Sequence, residues 1–177
     1  MYKRPHWDTE LVIKTWPRKF SKVSSWRDFE IYTAKDGEKI GIAASEWVLI
    51  DTRKFGIGRI TNKLVEDYGM IDKQVFEEEI TAKLKEPDTL EKVYEYTASR
   101  RDIDTNHHVY NVNYLDIAYD ALPEEACINY NDIEVYYKKQ IKLGETVKVF
   151  YSKEENSHIV TIKSQDEKTL HAILKFN

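Results

Sequence analysis

Acidic, amide and imidazole side chains alternate in residues 102–114, DIDTNHHVYNVNY. Asp104, Asn106 and His108 lie two positions apart, so in an extended loop their side chains would point to one side. The loop precedes a predicted helix, whose N-terminal dipole and free N–H groups favour developing negative charge. This set of groups suits the attack of water on a carbonyl carbon, with His108 able to carry protons near neutral pH.

Two other interpretations of the loop stay open at this point. Asp, Asn and Thr side chains before a helix commonly cap its free N–H groups and have no chemical role. A metal site is the second interpretation, because Asp104, His107 and His108 are potential ligands. Against a metal, neighbouring side chains diverge in an extended segment, and no spaced second histidine or carboxylate pair completes a cage.

The elements around the loop are predicted from hydrophobic periodicity. Residues 93–99, VYEYTAS, have the pattern of a strand. Apolar residues follow helical spacing from Asn111, and Pro123 ends a predicted helix of about three turns. Four strands joined by tight turns follow, and we predict that they form an antiparallel meander. Their sequences are IEVYYKKQI, TVKVFY, HIVTIK and LHAILKF.

The first part of the chain has strand patterns of the same kind. The predicted strands are ELVIKTW, SSWRDFEIYTA and IGIAASEWVLI, and Asp36-Gly37 is a strong hairpin turn. Residues 52–92 are charged and mostly lack alternation, and NKLVEDYG and KQVFEEEITAKL are predicted short helices there. The chain is therefore predicted to be α+β, with a unit at residues 1–51, a connector at 52–92 and a second unit at 93–177.

Composition excludes several classes of function. The 177 residues carry a formal net charge of −4, so no overall positive field attracts nucleic acid. No segment has the apolar length of a membrane span, and the start, MYKRPHW, lacks the apolar run of a signal peptide. The single cysteine, Cys127, allows no internal disulfide and fits a buried, inert thiol. We expect a soluble cytoplasmic protein.

The loop and its surroundings resemble a known family. RRDIDTNHHVYNVNY is similar to a family pattern, D-x-D-x-N-x-H-V-x-N-x-x-Y, that lies beside the helix of a hot-dog fold. The likeness extends in order through TELVIKTW, DGEKIGIAASEWVLIDTRKFGIGRI and EVYYKKQIKLGETV. The family is that of the acyl-acyl carrier protein thioesterases. The resemblance implies tandem hot-dog folds, each an antiparallel sheet wrapped around a central helix. It also implies hydrolysis of the acyl-carrier thioester in fatty acid biosynthesis, with no metal or organic cofactor.

By position, the resemblance assigns Asp104, Asn106 and His108 to the family's catalytic loop. It implies that Asn106 holds the water or the oxyanion and that His108 donates a hydrogen bond or a proton. Asp104 would orient that pair or help to activate the water. Which group takes the first proton stays open, and His107 is expected to face away.

Gln140 is the fourth expected site residue and a departure from the family. Many relatives carry Glu, and the plant enzymes Glu-Cys, where this chain has Gln140-Ile141. Glutamine can hold a water but cannot accept its proton. The general-base role therefore moves to Asp104 or His108. A covalent cysteine route is not expected, because Ile141 occupies the cysteine position.

The partner implied by the resemblance is an acyl carrier protein that carries a fatty acyl chain. The basic pairs Arg100-Arg101 and Lys138-Lys139 are candidates for docking it, although charged strand ends that face water are an equally simple interpretation. Two other functions fit the same loop. One is a hot-dog hydrolase that acts on acyl-coenzyme A, and the other is a non-catalytic protein that binds acyl thioesters.

A weak internal repeat shapes the expectation for the first unit. YKRP and YKKQ precede ELVIKTW and ETVKVFY at the same offset. The second unit has a strand, a loop and a helix before YKKQ, so the first unit is expected to lack its opening strand and central helix. One sheet face would then be apolar and uncovered, and we expect exposed apolar surface or self-association into a homo-oligomer.

Overall fold

The computed structural model describes residues 1–54, 56–80, 83–128 and 130–177. The chain divides into two compact units, Met1–Ala82 and Lys83–Asn177. Most of the segment predicted as a connector therefore belongs to the first unit. The predicted α+β class is confirmed, because both units are built on antiparallel sheets with short helices.

The first unit contains a three-stranded antiparallel sheet in the order β1-β2-β3. Its strands are β1 (Leu11–Phe20), β2 (Ser24–Thr33) and β3 (Lys39–Val48), followed by the pair β4 (Ile50–Asp51) and β5 (Gly56–Ile57) and by helix α1 (Asn62–Tyr68). The predicted turn at Asp36-Gly37 and the predicted first helix are confirmed. Gly37 has φ 70°, a left-handed conformation that glycine adopts without steric cost.

The prediction of a second helix at residues 73–84 is wrong for the described part of that segment, which contains no helix. Thr81 and Ala82 lie outside the described residues. Tertiary hydrogen bonds hold the segment against the sheet instead. The Trp16 indole donates to the carbonyl of Lys73 (2.8 Å), and the N–H of Val75 donates to the carboxylate of Asp28 (2.9 Å). Tertiary contacts of this kind override helical propensity, which is only a weak predictor of the folded structure.

Buried carboxylates lie on the sheet face that this segment covers. Asp28 is fully buried and Glu30 nearly so. The Arg18 Nε donates to Asp28 (3.1 Å), and the ammonium groups of Lys39 and Lys73 donate to Glu30 (2.7 and 2.8 Å). The interior of this unit is therefore held by paired charges, which tolerate burial because their partners are in place.

We expect the stability of the first unit to fall in acid through Glu30. Hydrogen bonds from Lys39 and Lys73, assisted by Tyr32, outweigh desolvation and hold the pKa of Glu30 at about 2, below the ordinary 4.5. A lowered native pKa adds stability above pH 4.5, and that stability is lost as the pH falls toward 2. Glu30→Gln should therefore lower the free energy of unfolding by about 2 kcal/mol at neutral pH, after allowance for screening of the half-exposed lysines by solvent. It should also make the free energy of unfolding less dependent on pH in acid.

Urea unfolding followed by tryptophan fluorescence, at neutral pH and at about pH 3, measures this effect. Glu10→Gln, at an exposed glutamate, is the control. The same pH dependence in the wild type and in Glu30→Gln would contradict the assignment.

The opposite face of the same sheet is apolar and exposed. Leu11, Ile13 and Trp47 on this face are 38%, 58% and 60% exposed. The strand register pairs Ile13 in the edge strand β1 with Ile31 in the central strand β2. The α-helix described in this unit is α1, and none of its residues is buried. The sheet face expected to be uncovered is thus exposed in the structure.

We expect this exposed face to drive self-association or the binding of an apolar dye. Ile13→Lys should reduce both, because it puts a charge within the exposed apolar face. Val12→Lys is a matched control, since Val12 is exposed in the same strand but points to the opposite face. Size-exclusion chromatography with light scattering and dye fluorescence measure the outcome. A monomer with no dye binding, or an equal effect of the two substitutions, would contradict the expectation.

The second unit contains a five-stranded antiparallel sheet in the order β6-β8-β9-β10-β7. Its strands are β6 (Glu91–Thr97), β7 (Ile133–Tyr137), β8 (Thr146–Glu154), β9 (Ser157–Ser164) and β10 (Leu170–Phe176). The predicted four-strand meander is wrong for β7. That strand pairs with β10, with Tyr137 opposite Ala172, rather than with β8, which follows it in the sequence.

The helix after the polar loop is shorter than predicted. Helix α2 covers Asn113–Tyr119, and a separate helix α3, Glu124–Ile128, begins after Pro123. Proline cannot continue a helix but is tolerated where one begins. The buried residues of α2 are Tyr114, Ile117 and Ala118, and they belong to one core with the inward side chains of the sheet. No helix within the described ranges is long and apolar enough to cross a membrane.

Candidate active site

The polar loop is a tight turn, and the extended loop predicted from the sequence is wrong. Ile103 and Val109 face each other as an antiparallel bridge at its base. Inside it, the N–H of Asp104 donates to the carbonyl of His108 (2.8 Å), and the N–H of His107 donates back to the carbonyl of Asp104 (3.1 Å). His107 has φ 64°, in the left-handed region that non-glycine residues seldom occupy.

The carboxylate of Asp104 closes this turn. Its Oδ1 accepts the backbone N–H groups of Asn106 (2.8 Å) and His108 (3.3 Å), and its Oδ2 accepts the Asn106 side-chain amide (3.3 Å). Short polar side chains commonly bond to the backbone two residues ahead in this way. Asp104 and Asn106 therefore meet as expected, whereas His108 contacts Asp104 through its backbone.

Asp104 is held in its charged form. Desolvation in the turn raises the pKa of Asp104, but the N–H groups of His108 and Asn106 and the Asn106 amide lower it more, so the pKa stays below its usual value. A carboxylate stabilised in this way is a weak base. The geometry suits Asp104 to orient its neighbours.

His108 is the residue of the turn that adjoins the segment carrying Gln140. Its ring is half-buried, and Nδ1 is buried with no hydrogen-bond partner among the described residues. His108 forms an antiparallel bridge with Lys142, and the next residue, Val109, donates its N–H to the carbonyl of Ile141 (2.9 Å). The turn and the Gln140 segment are thus joined through the backbone. His107 is exposed, as expected.

Gln140 and its neighbours alternate between solvent and core. Gln140 and Lys142 are exposed, whereas Ile141 between them is fully buried. The Ile141 N–H donates to the hydroxyl of Tyr114 (3.0 Å), a buried residue of α2. Burial raises the pKa of Tyr114, so its hydroxyl stays protonated. Tyr114 anchors the Gln140 segment to the central helix. Tyr114 is the last residue of the motif DIDTNHHVYNVNY, but its role depends on Ile141, which is distant in the sequence.

Asp102, the first acid of the motif, has a structural role. It is buried, and its Oδ2 accepts both the N–H (2.7 Å) and the hydroxyl (2.6 Å) of Ser99. Its carbonyl accepts the N–H of Tyr110 (2.8 Å) and the side-chain amide of Asn113 (3.3 Å). Asp102 therefore builds the base of the turn.

The start of α2 contradicts two interpretations of the sequence, namely that the polar loop caps this helix and that free N–H groups of the helix stabilise negative charge. Its N-cap, Val112, makes no side-chain capping bond, so the polar loop is not the cap of this helix. The N–H groups of Asn113 and Leu115 donate to the carbonyls of Tyr110 and Val112, both at 2.9 Å, and are not free to hold an oxyanion. Within the described ranges, no three His, Cys, Asp or Glu side chains are grouped to bind a metal ion.

A five-stranded antiparallel sheet around a buried helix, with a polar turn leading into that helix, defines the second unit as a hot-dog domain. The model of the acyl-ACP thioesterase C-terminal domain matches residues 85–176, and that of the acyl-ACP thioesterase N-terminal domain matches residues 1–68. The chain therefore belongs to the acyl-ACP thioesterase family.

Curated proteins similar to this chain are named as acyl carrier protein thioesterases. The chain is 27% identical over 175 residues to oleoyl-acyl carrier protein thioesterase 2, chloroplastic, of Arabidopsis thaliana, covering 91% of this chain and 47% of that protein. It is 27% identical over 127 residues to palmitoyl-acyl carrier protein thioesterase, chloroplastic, of Cuphea hookeriana, covering 68% and 30%. The chain spans about half the length of the curated relatives it matches, or less.

Solved structures of acyl-ACP thioesterases share the fold of this chain. An acyl-ACP thioesterase from Bacteroides thetaiotaomicron matches with a TM-score of 0.77 and 24% identity, over 94% of this chain and 67% of that one. The 12:0-ACP thioesterase from Umbellularia californica matches with a TM-score of 0.80 and 20% identity, over 98% and 69%. The predicted hot-dog fold is confirmed.

Proposed function

We propose that this chain hydrolyses the thioester between a fatty acyl chain and acyl carrier protein, and so releases a free fatty acid during fatty acid biosynthesis. Family membership and the names of the relatives support the substrate class. The observation that carries the proposal is the turn in the matched C-terminal domain. There the carboxylate of Asp104 holds the amide of Asn106, next to a histidine whose buried Nδ1 has no protein partner within the described ranges.

Asp104 and Asn106 act together in this mechanism. The lowered pKa of Asp104 keeps it ionised, and its carboxylate fixes the direction of the Asn106 amide. One amide N–H of Asn106 is used in that contact. The second can donate to a water or to the oxygen of the tetrahedral intermediate, where a fixed donor lowers the barrier.

His108 is the proposed general base. The water oxygen bonds to the thioester carbonyl carbon while its proton passes to the imidazole. The carbon–sulfur bond then breaks, and the proton returns to the sulfur of the leaving thiol. Gln140 orients the water without taking its proton, because an amide is not a base at ordinary pH. Asp104 is less suited to the base role because of its lowered pKa.

The proposed partner is the carrier protein itself, with exposed basic residues as its docking points. Arg101 is 89% exposed beside the turn, and Lys138 and Lys139 are exposed before Gln140. Such charges speed the encounter with an acidic partner. The cytoplasmic location expected from the sequence stays a prediction, and the relatives from Arabidopsis thaliana and Cuphea hookeriana carry the word chloroplastic in their names.

Thiol release from acyl-carrier and acyl-coenzyme A substrates with the same acyl chain tests the proposal, with Asp104→Ala as the inactive control. Faster turnover of the carrier substrate supports it. Faster turnover of the coenzyme A substrate would favour an acyl-coenzyme A hydrolase. Binding without thiol release would favour the non-catalytic function, which Gln140 suggests because it replaces a carboxylate.

Gln140→Glu is expected to increase turnover several-fold or to alter the acid limb of the pH profile. The substitution puts a carboxylate, which can accept a proton, where the amide cannot. The measurement is thiol release between about pH 5 and 9. Lys142→Gln, which makes the net charge more negative by the same single unit two residues away, is the control for a general electrostatic effect. An unchanged rate and profile in Gln140→Glu would contradict contact between Gln140 and the reacting water.

A further inference from the structure

Tyr137 is a tyrosine beside the candidate site that the proposed mechanism does not use. It is the last residue of β7, three positions before Gln140, and its ring is partly exposed. Its hydroxyl donates to the carbonyl of Asn111 (3.0 Å), which lies three positions after His108. A tyrosine hydroxyl keeps its proton at neutral pH, so this donor is always present there. One side chain therefore joins the chain before Gln140 to the chain after His108.

A second tyrosine makes the complementary contact on the other side of Gln140. The hydroxyl of the buried Tyr114, in α2, accepts the N–H of Ile141 (3.0 Å), the residue that follows Gln140. Asn111, which the first tyrosine bonds to, lies just before the same helix. Both hydroxyl contacts therefore tie the Gln140 segment to the start of α2.

The rings of Tyr114 and Tyr137 contact each other directly. Their centroids are 5.3 Å apart and their planes are at 90°, the edge-to-face arrangement that the charge distribution of aromatic rings favours. Each ring limits where the other can lie. The two hydroxyl contacts are therefore made by one packed pair rather than by two separate side chains.

The chain between Tyr137 and Gln140 is short and held along its length. The backbone N–H groups of Lys138 and Lys139, the two residues in between, donate to the carbonyl of His171 in β10 (2.8 and 3.1 Å). A segment held at both of these residues passes a displacement of Tyr137 on to Gln140 instead of absorbing it.

We infer that Tyr137 and Tyr114 form a pair that fixes Gln140 relative to His108, so that the Gln140 amide is in place to orient the attacking water. This inference deepens the proposed function and rests on it. Both tyrosines act through the backbone and are positioning residues. Small displacements of a group near the reacting atoms are costly in rate, and supporting contacts of this kind prevent them.

Phenylalanine variants separate positioning from general stability. Tyr137→Phe and Tyr114→Phe each remove one hydroxyl and keep the ring. Tyr94→Phe is the matched control, because the hydroxyl of Tyr94 in β6 donates to the carbonyl of Ile117 in α2 (2.6 Å). The control loses the same kind of contact with the same helix, from a strand that does not lead into Gln140.

The first measurement is amide hydrogen exchange of the free protein by nuclear magnetic resonance, which needs no substrate. The Ile141 amide should exchange at least about tenfold faster in Tyr114→Phe than in Tyr94→Phe, because its acceptor is gone. In Tyr137→Phe it should exchange at least about threefold faster than in the control, although the lost hydroxyl bonds to Asn111 and not to Ile141. Exchange in Tyr137→Phe equal to that in the control would overturn the pair.

The second measurement is thiol release. Tyr137→Phe and Tyr114→Phe should lower kcat by about three- to tenfold with KM within about twofold, and Tyr94→Phe should stay within about twofold of the wild type. In a Gln140→Ala background, Tyr137→Phe should change kcat by less than about twofold, since the amide that it positions has already been removed.

An equal loss of kcat from Tyr137→Phe with and without Gln140, or from Tyr94→Phe, would overturn the inference. Absence of thiol release by the wild type would overturn the proposed function instead. The exchange of the Ile141 amide would then still decide whether the two tyrosines hold the Gln140 segment as a pair.

Discussion

Replacing His108 by alanine should lower thioester hydrolysis by about a hundredfold or more, the usual effect of removing one acid–base group. The substitution removes the imidazole but keeps the backbone N–H and carbonyl that bond to Asp104 and close the turn. The fold should therefore persist. Single-turnover and steady-state thiol release, with a circular dichroism spectrum of each variant, measure both parts of this prediction.

The neighbouring histidine is the matched control. His107→Asn replaces an exposed ring at φ 64°, a conformation that asparagine tolerates well. We expect this variant to retain most of its activity. If His107→Asn loses as much activity as His108→Ala, or if His108→Ala remains active, the general base lies elsewhere. Asp104→Ala should also lower the rate strongly, but it opens the turn as well and so identifies the base less directly.

Replacing Asp28 by alanine should lower the free energy of unfolding of the first unit by about 3 kcal/mol or more. Asp28→Ala leaves Arg18, whose side chain is 9% exposed, without its carboxylate, and it leaves the N–H of Val75 without its acceptor. A buried charge that has lost its partner is costly. The four tryptophans, Trp7, Trp16, Trp26 and Trp47, lie in this unit, so urea unfolding followed by tryptophan fluorescence reports on it directly.

Two comparisons make the Asp28 prediction specific. Asp67→Ala removes the exposed i,i+4 partner of Lys63 and should change the free energy of unfolding by less than about 0.5 kcal/mol. The double variant Arg18→Met with Asp28→Leu removes both charges and should recover part of the loss. A cost for Asp28→Ala as small as that for Asp67→Ala would mean that the pair does not support the sheet.

Alternation and turn residues predicted most strands of both sheets but not the partner of each strand. β1, β2 and β3 have apolar or β-branched patterns, and Asp36-Gly37 fixes a hairpin. Alternation identifies a strand without naming its neighbour, so the pairing of β7 with β10 was missed. The predicted helix at 73–84 failed because its described residues bond to Trp16 and Asp28 on the sheet. Asp28 itself resembles a surface charge in the sequence.

The motif identified the residues of the candidate site but not how they meet. Spacing by two implied side chains on one side, whereas Asp104 folds the chain back on itself through backbone hydrogen bonds. Backbone hydrogen bonds of this kind do not follow from residue types and spacing. Tyr114 stood in the quoted motif and still lacked a role, because its partner Ile141 is distant in the sequence. The carbonyl of His171 accepts the N–H groups of Lys138 and Lys139, just before Gln140, but a single histidine in an apolar strand pattern gives no signal of that contact.

The position of β10 has a consequence for the order in which this domain assembles during synthesis. β7 leaves the ribosome before β8 and β9, yet its partner in the sheet is β10, which follows them all. Until β10 emerges, β7 is an unpaired edge, and the N–H groups of Lys138 and Lys139, just before Gln140, lack their acceptor, the carbonyl of His171 in β10. The turn with His108, by contrast, closes through contacts within seven residues, Ile103 to Val109. One half of the candidate site can therefore form while the chain is still being made, and the other half waits for the last strand.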